Sequence, residues 1–167
     1  WINQKPTYRK VKREINSELE RSFPPGSAWL YFKIFCKAGI SDILLKELVR
    51  PMVNDLKNLQ MIDHWFFIRY ADPEDHLRIR FHLSKPAHTG HILQEIHIAL
   101  EKYLQTRIVI KYQLDTYQRE IERYHGLSVQ DSEVIFSSDS DAILDLLTQG
   151  WGDEAENSGG ELPAEVF

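Results

Sequence analysis

The sequence predicts an α+β fold: a ferredoxin-like (split βαβ) antiparallel sheet with helices on one face, plus a short C-terminal helical extension. Three observations carry that expectation. Segments 28–36, 64–71, 76–83 and 108–114 alternate apolar and polar side chains, or run apolar with many aromatic and β-branched residues, as strands do. Segments near 41–59 and 89–105 space their apolar residues by three and four, as helices do. D-P-E-D at 72–75 leaves so short a link between the second and third strands that an antiparallel hairpin is nearly forced. Strand, helix, strand, strand, helix, strand is the succession of the split βαβ unit.

Residues 1–22 are basic and polar, with Val11, Ile15 and Leu19 spaced for a surface helix or an arm. F-P-P-G-S (23–27) breaks the chain. In the strand that follows, Trp29, Tyr31, Lys33 and Phe35 face one way, and Leu30, Phe32, Ile34 and Cys36 the other. Ser41 is a candidate N-cap for the first helix, and Pro51 predicts a kink or break within it. K-P-A-H-T-G (85–90) precedes the second helix, which carries Ile92, Ile96, Ala99, Leu100 and Tyr103. After the fourth strand, 115–124 reads as helical, and a short helix capped near Ser140 closes the domain. The domain is expected over 23–149, and 150–167, rich in Gly and acid without a period, reads as a flexible tail.

Composition narrows the function. With 43% hydrophobic and 11% aromatic residues the chain has material for a core, and its net charge of −5 argues against broad nucleic-acid binding. The single cysteine, Cys36, allows no disulfide within the chain and no cysteine zinc site, and sits in an apolar run as a small hydrophobe. No apolar stretch approaches the ~20 residues of a membrane span, and no signal peptide is visible, so a cytoplasmic location is expected. No H-E-x-x-H, Walker loop, G-x-G-x-x-G or G-x-S-x-G occurs, so neither a metal nor another cofactor is expected.

Against that acidic background, H-L-R-I-R-F-H (76–82) stands out. Leu77, Ile79 and Phe81 mark the core face, leaving His76, Arg78, Arg80 and His82 on the other. Aligned symmetrically about D-P-E-D, Arg69 opposes Arg78, with Trp65 and Phe67 along the same face. A slip of one residue would turn Arg69 away. One reading is a solvated face whose arginines pair with Asp115 or with glutamates of a neighbouring strand. The other is a pocket lining that waits for an anion, because arginine suits two-pronged carboxylate or phosphate recognition. His76 and His82 are the candidate acid/base or substrate-binding groups there. In D-T-Y-Q-R-E-I-E-R-Y (115–124), Arg119 follows the fourth strand closely enough to reach toward Arg78 and Arg80, whereas Arg123 suits an ordinary Glu–Arg surface pair.

Four stretches carry a resemblance: P-G-S-A-W-L-Y-F-K-I-F (25–35), W-F-F-I-R-Y-A-D-P-E-D-H-L-R-I-R-F-H (65–82), L-D-T-Y-Q-R-E-I-E-R-Y (114–124) and E-V-I-F-S-S-D-S (133–140). Over roughly residues 23–147 the sequence resembles the C-terminal part of class I lantibiotic dehydratases, the thiopeptide-type bacteriocin biosynthesis domain. The resemblance implies elimination of glutamate from glutamylated Ser or Thr of a precursor peptide, giving dehydroalanine or dehydrobutyrine. It implies catalytic roles for Arg78, Arg80 and Arg119, and leaves Arg69, His76 and His82 as substrate-binding candidates. The implied partners are the precursor peptide, a glutamylation domain or subunit, and a cyclase; no direct tRNA contact is expected of this part, and a homodimer is conceivable. The family's domain continues beyond D-S-x-A-x-L-x-L-L into a region with a further histidine. Against that pattern the sequence reads as truncated, a fragment or split part with little turnover alone. Two alternatives stand beside elimination: a relative that forms thiopeptide rings by cycloaddition, and a non-catalytic module that binds an acidic leader peptide.

Overall fold

Alternation in the sequence becomes a sheet whose two central strands are buried from both sides. The computed structural model describes residues 20–124 and 128–149. The arm expected over 1–22 therefore lies outside the described residues except at its end, as do the expected tail and His125. In chain order the elements are β1 (Ser22–Phe23), β2 (Trp29–Cys36), α1 (Ala38–Leu44), a π-turn (Leu45–Val49), α2 (Arg50–Asn58), β3 (Ile62–Tyr70) and β4 (His76–Leu83). A 3-10 turn (Pro86–His88), α3 (Thr89–Gln105), β5 (Val109–Asp115), β6 (Tyr117–Gln118), a second 3-10 turn (Ile121–Arg123) and α4 (Val129–Thr148) complete them.

The main sheet has four antiparallel strands in the order β3-β4-β2-β5. Leu30, Phe32 and Ile34 of β2 join Leu77, Ile79 and Phe81 of β4 on one face, against Leu44, Leu48, Val53, Ile92, Ile96 and Leu100 of the helices. That core is the expected α+β arrangement, with both amphipathic helices on one side of an antiparallel sheet. The other face of β2 is buried too: Trp29, Tyr31 and Phe35 are covered, and Trp29 and Tyr31 cluster with Phe23, Phe66 and Tyr117. The pair β1–β6, joined through Ser22↔Gln118 and Phe23↔Tyr117, supplies that cover.

Several local expectations are corrected. Ser41 does not cap the first helix, which begins after Lys37; its hydroxyl instead donates to the Ala38 carbonyl at 2.6 Å. Pro51 does not end the helical rod. The π-turn ahead of it loosens the backbone register, and Pro51 enters α2 at its first turn, where a missing N–H is harmless. Segment 115–124 is not a helix, because Tyr117 and Gln118 pair with β1 and only a 3-10 turn follows.

The short helix expected near Ser140 is the end of a 20-residue helix capped by Ser128, whose side chain accepts from the Asp131 N–H. Its serines are not loop residues. Ser137 and Ser140 accept hydrogen bonds from the backbone N–H groups of Trp65 (3.3 Å) and Phe67 (3.2 Å), and so close the open edge of β3. Asp141 accepts from the Trp65 indole at 2.8 Å and pairs with Lys57.

Candidate functional site

The sheet face away from the helices is built by strand parity. Tyr31 and Phe66 are the cross-strand neighbours of Arg80, one on each side, while Lys33 and Ile68 flank Arg78, and Trp29 and His64 flank His82. Arg80 is buried, 8% exposed. Its guanidinium carbon stands 4.5 Å from the Tyr31 ring centre, 5.1 Å from Phe66 and 4.7 Å from Tyr117, which closes the cage from β6. Such cation–π contacts hold a cation without neutralising it. Nε and Nη1 of Arg80 are buried and have no hydrogen-bond partner among the described residues, and no described carboxylate pairs with the side chain. Burial pulls its pKa below the ordinary guanidinium value, and the neighbouring tyrosines oppose that pull. The group remains a cation. The Trp29 indole N–H, in the same aromatic cluster, is likewise buried and unpartnered.

Arg78 is less covered. Its Nε donates to His76 Nε2 at 3.0 Å, and its guanidinium stacks 3.5 Å over Tyr70. His76 Nδ1 in turn donates to the Glu74 carbonyl at 2.7 Å, so the imidazole holds the tautomer that accepts from Arg78. The terminal nitrogens of Arg78 make no hydrogen bond with a described residue. The carboxylate expected to neutralise this face, Asp115, is occupied by Lys33 at 2.6 Å and by the Thr116 N–H. Burial raises the Asp115 pKa, but those two hydrogen bonds outweigh it and hold the carboxyl below its ordinary value. Neither Arg78 nor Arg80 forms an ion pair with a described residue.

Arg119 reaches the same region but is itself engaged. Its Nε and Nη2 each donate to Glu133 of α4 at 2.7 Å, its Nη1 to the Glu20 carbonyl at 3.2 Å, and it stacks on Phe23. Burial lowers the Arg119 pKa, and the Glu133 contacts more than reverse this. Tyr117 donates its hydroxyl to the same carboxylate at 2.8 Å; burial first, and Glu133 second, raise the phenol pKa. Arg119 and the Tyr117 ring that covers Arg80 thus share the Glu133 carboxylate. Arg123 forms the exposed pair with Glu120 expected of it.

Arg69 does not join the cluster. Tyr70, not Ala71, pairs with His76, because the loop holds five residues (71–75) rather than four. The one-residue change sends Arg69 to the opposite face, where it pairs with Asp42. His82 is on the expected face, with Nδ1 3.0 Å from Asp63 Oδ2 and its ring stacked on His64 at 4.5 Å and 5°. Sequence reasoning passed over His64, Asp63, Tyr117 and Glu133. The last had a visible signal: Glu133, Ser137, Ser140 and Leu144 recur at helical spacing and are all buried. Cys36 is buried, and burial followed by Asp75 pushes its thiol up to about 11, which suits a core residue. Among the described residues no three His, Cys, Asp or Glu side chains gather as a metal would require.

The architecture is an α+β domain: an antiparallel sheet with helices on one face, and on the other a caged arginine beside a second one that forms no ion pair with a described residue. The chain belongs to the family of lantibiotic biosynthesis dehydratase C-terminal domains, whose model matches residues 29–164. It is 30% identical over 142 residues to the subtilin biosynthesis protein SpaB of Bacillus subtilis, and 31% identical over 142 residues to the nisin biosynthesis protein NisB of Lactococcus lactis subsp. lactis. Each match covers 84% of this chain and 14% of the relative, so the chain spans a small part of those proteins. The tRNA dependent lantibiotic dehydratase MibB from Microbispora sp. 107891 aligns in structure with a TM-score of 0.66 at 28% identity, over 83% of this chain and 13% of that one. The pyridine synthase TbtD from thiomuracin biosynthesis shares the fold, with a TM-score of 0.56 at 16% identity over 81% of this chain and 50% of that one. No helix among the described residues is long and apolar enough to cross a membrane.

Proposed function

We propose that this chain eliminates glutamate from glutamylated Ser or Thr of a lantibiotic precursor peptide, leaving dehydroalanine or dehydrobutyrine. One observation carries the reading: Arg80 is a buried cation whose Nε and Nη1 have no partner, and neither it nor the adjacent Arg78 pairs with a carboxylate among the described residues. Elimination needs such donors. Removal of the α-proton develops negative charge on the peptide carbonyl, and cleavage of the Cβ–O bond releases a carboxylate. Arg80 and Arg78 are the groups that receive this charge, His76 sets the orientation of Arg78, and Arg119 with Glu133 fixes Tyr117 over Arg80.

Glutamylation of the peptide belongs, in this reading, to another region or subunit, and the reaction takes place in the cytoplasm. The test is incubation of the chain with a synthetic peptide bearing an O-glutamyl serine, followed by mass spectrometry. Loss of glutamate with formation of dehydroalanine supports the reading. Peptide left unaltered, whether or not it binds, refutes it.

A further inference from the structure

We propose that His82 is the proton acceptor of this face, that Asp63 is its positioning residue, and that stacked His64 is its neutral partner. The inference rests on the elimination reading above and adds to it the group that removes the α-proton. The imidazole pair adjoins the arginine cage. Trp29 packs edge-on against His64 at 5.2 Å, His82 at 5.1 Å and Tyr117 at 5.2 Å, and Tyr117 covers Arg80. Along β4, His82 is two residues from Arg80, or about 6.6 Å at 3.3 Å per residue. A glutamyl ester spans that separation with its carboxylate on arginine and its α-carbon near imidazole.

The hydrogen bonds select His82 over His76. Both nitrogens of His76 are occupied, one by Glu74 and one by Arg78. His82 is held through Nδ1 by Asp63, while its Nε2 makes no hydrogen bond with a described residue. A carboxylate on Nδ1 fixes the tautomer that leaves the Nε2 lone pair free, and stabilises the imidazolium once a proton arrives. His64 lies parallel to the ring that would gain charge. The charged and titratable groups around this pair are Asp63 beside it, Arg80 further along β4, Glu133 of α4 and Arg119 after β6. Burial first, and His82 second, keep the His64 pKa below its ordinary value.

The step balances. His82 Nε2 takes the α-proton, the C–H electron pair is held as an enolate on the peptide carbonyl and then forms the Cα–Cβ double bond, as the Cβ–O bond breaks with its electrons on the departing glutamate carboxylate. Arg78 and Arg80 receive that carboxylate, and the imidazolium returns its proton to water.

The test uses the whole 167-residue chain and an O-glutamyl-seryl peptide in D2O. It follows α-deuterium incorporation and glutamate loss by mass spectrometry, and peptide binding by calorimetry. His82→Gln should bind the peptide with unchanged affinity and lose about 100-fold or more in rate. Added imidazole should restore part of the rate to His82→Ala. Asp63→Asn still accepts the Nδ1 proton but carries no charge, so its acid limb in the pH–rate profile should move to lower pH. Asp63 is exposed, so this variant does not endanger the fold. Turnover by His82→Gln at the wild-type rate, or an unmoved profile in Asp63→Asn, overturns the proton-acceptor assignment and leaves the elimination reading standing. A wild-type chain that neither exchanges deuterium nor releases glutamate overturns both.

Discussion

Replacing Arg80 by Met should leave the fold about as stable as before and abolish its response to ligand. The two orphaned N–H groups of Arg80 each cost about 1–3 kcal/mol in the folded state. Its contacts with Tyr31, Phe66 and Tyr117 return about 1–2 kcal/mol each in a desolvated site. The two sums nearly cancel, and methionine fills most of the aliphatic volume, so the net change should fall within about 2 kcal/mol of zero. Breaking a buried ion pair instead costs about 3–5 kcal/mol. Urea unfolding, with and without O-glutamyl-seryl peptide, reads both effects. At about 100 times Kd a ligand should stabilise the wild type by about 2.7 kcal/mol, and Arg80→Met not at all. A loss of stability as large as that from a broken ion pair would show that Arg80 is held for structure. Undiminished stabilisation by the peptide would show that the anion binds elsewhere.

Glu133→Ala leaves Arg119 buried and unpaired and should cost about 3–5 kcal/mol in urea unfolding, with Glu133→Gln milder. Ser137→Ala with Ser140→Ala removes the acceptors for the Trp65 and Phe67 N–H groups, so these two amides should exchange with solvent faster and stability should fall by about 1–3 kcal/mol per site. Stability should fall on acidification. His64 has a depressed folded pKa, so the unfolded chain binds its proton first, and its contribution is lost as pH drops through the ordinary histidine value of about 6.5 toward the folded one. Asp115, also depressed, adds a second loss at more acid pH, and urea midpoints across a pH series show both. Arg69→Ala should leave calorimetric affinity for the peptide unchanged and cost less than about 1 kcal/mol of stability, because its pair with Asp42 is exposed on the other face.

The main strands and both core helices are legible in the sequence because their apolar periodicity reports the core they share. The placement of Arg78 and Arg80 on one face follows from the same alternation. What failed depends on information that periodicity does not hold. Arg69 turned on a single loop residue, since a strand register changes face with every step. Tyr117 and Gln118 sit in a stretch with helical composition, yet pairing with β1 overrides that local preference. Only the second half of helix α4 was read, because the buried stripe of its first half is polar: Ser137 faces a strand edge, and Glu133 faces a guanidinium. His64 and Asp63 at the start of β3 acquire meaning only through what stands opposite them on β4, a tertiary fact.

Nitrogen-15 NMR of the side chains tests the central claim most directly, because the account places the ligand on named N–H groups. Titration with O-glutamyl-seryl peptide should shift the Arg80 Nε–H and Trp29 Nε1–H resonances together and saturably, and should slow their exchange with water as the buried donors gain an acceptor. Resonances that stay fixed while calorimetry reports binding would contradict it, and would move the anion site off this face of the sheet.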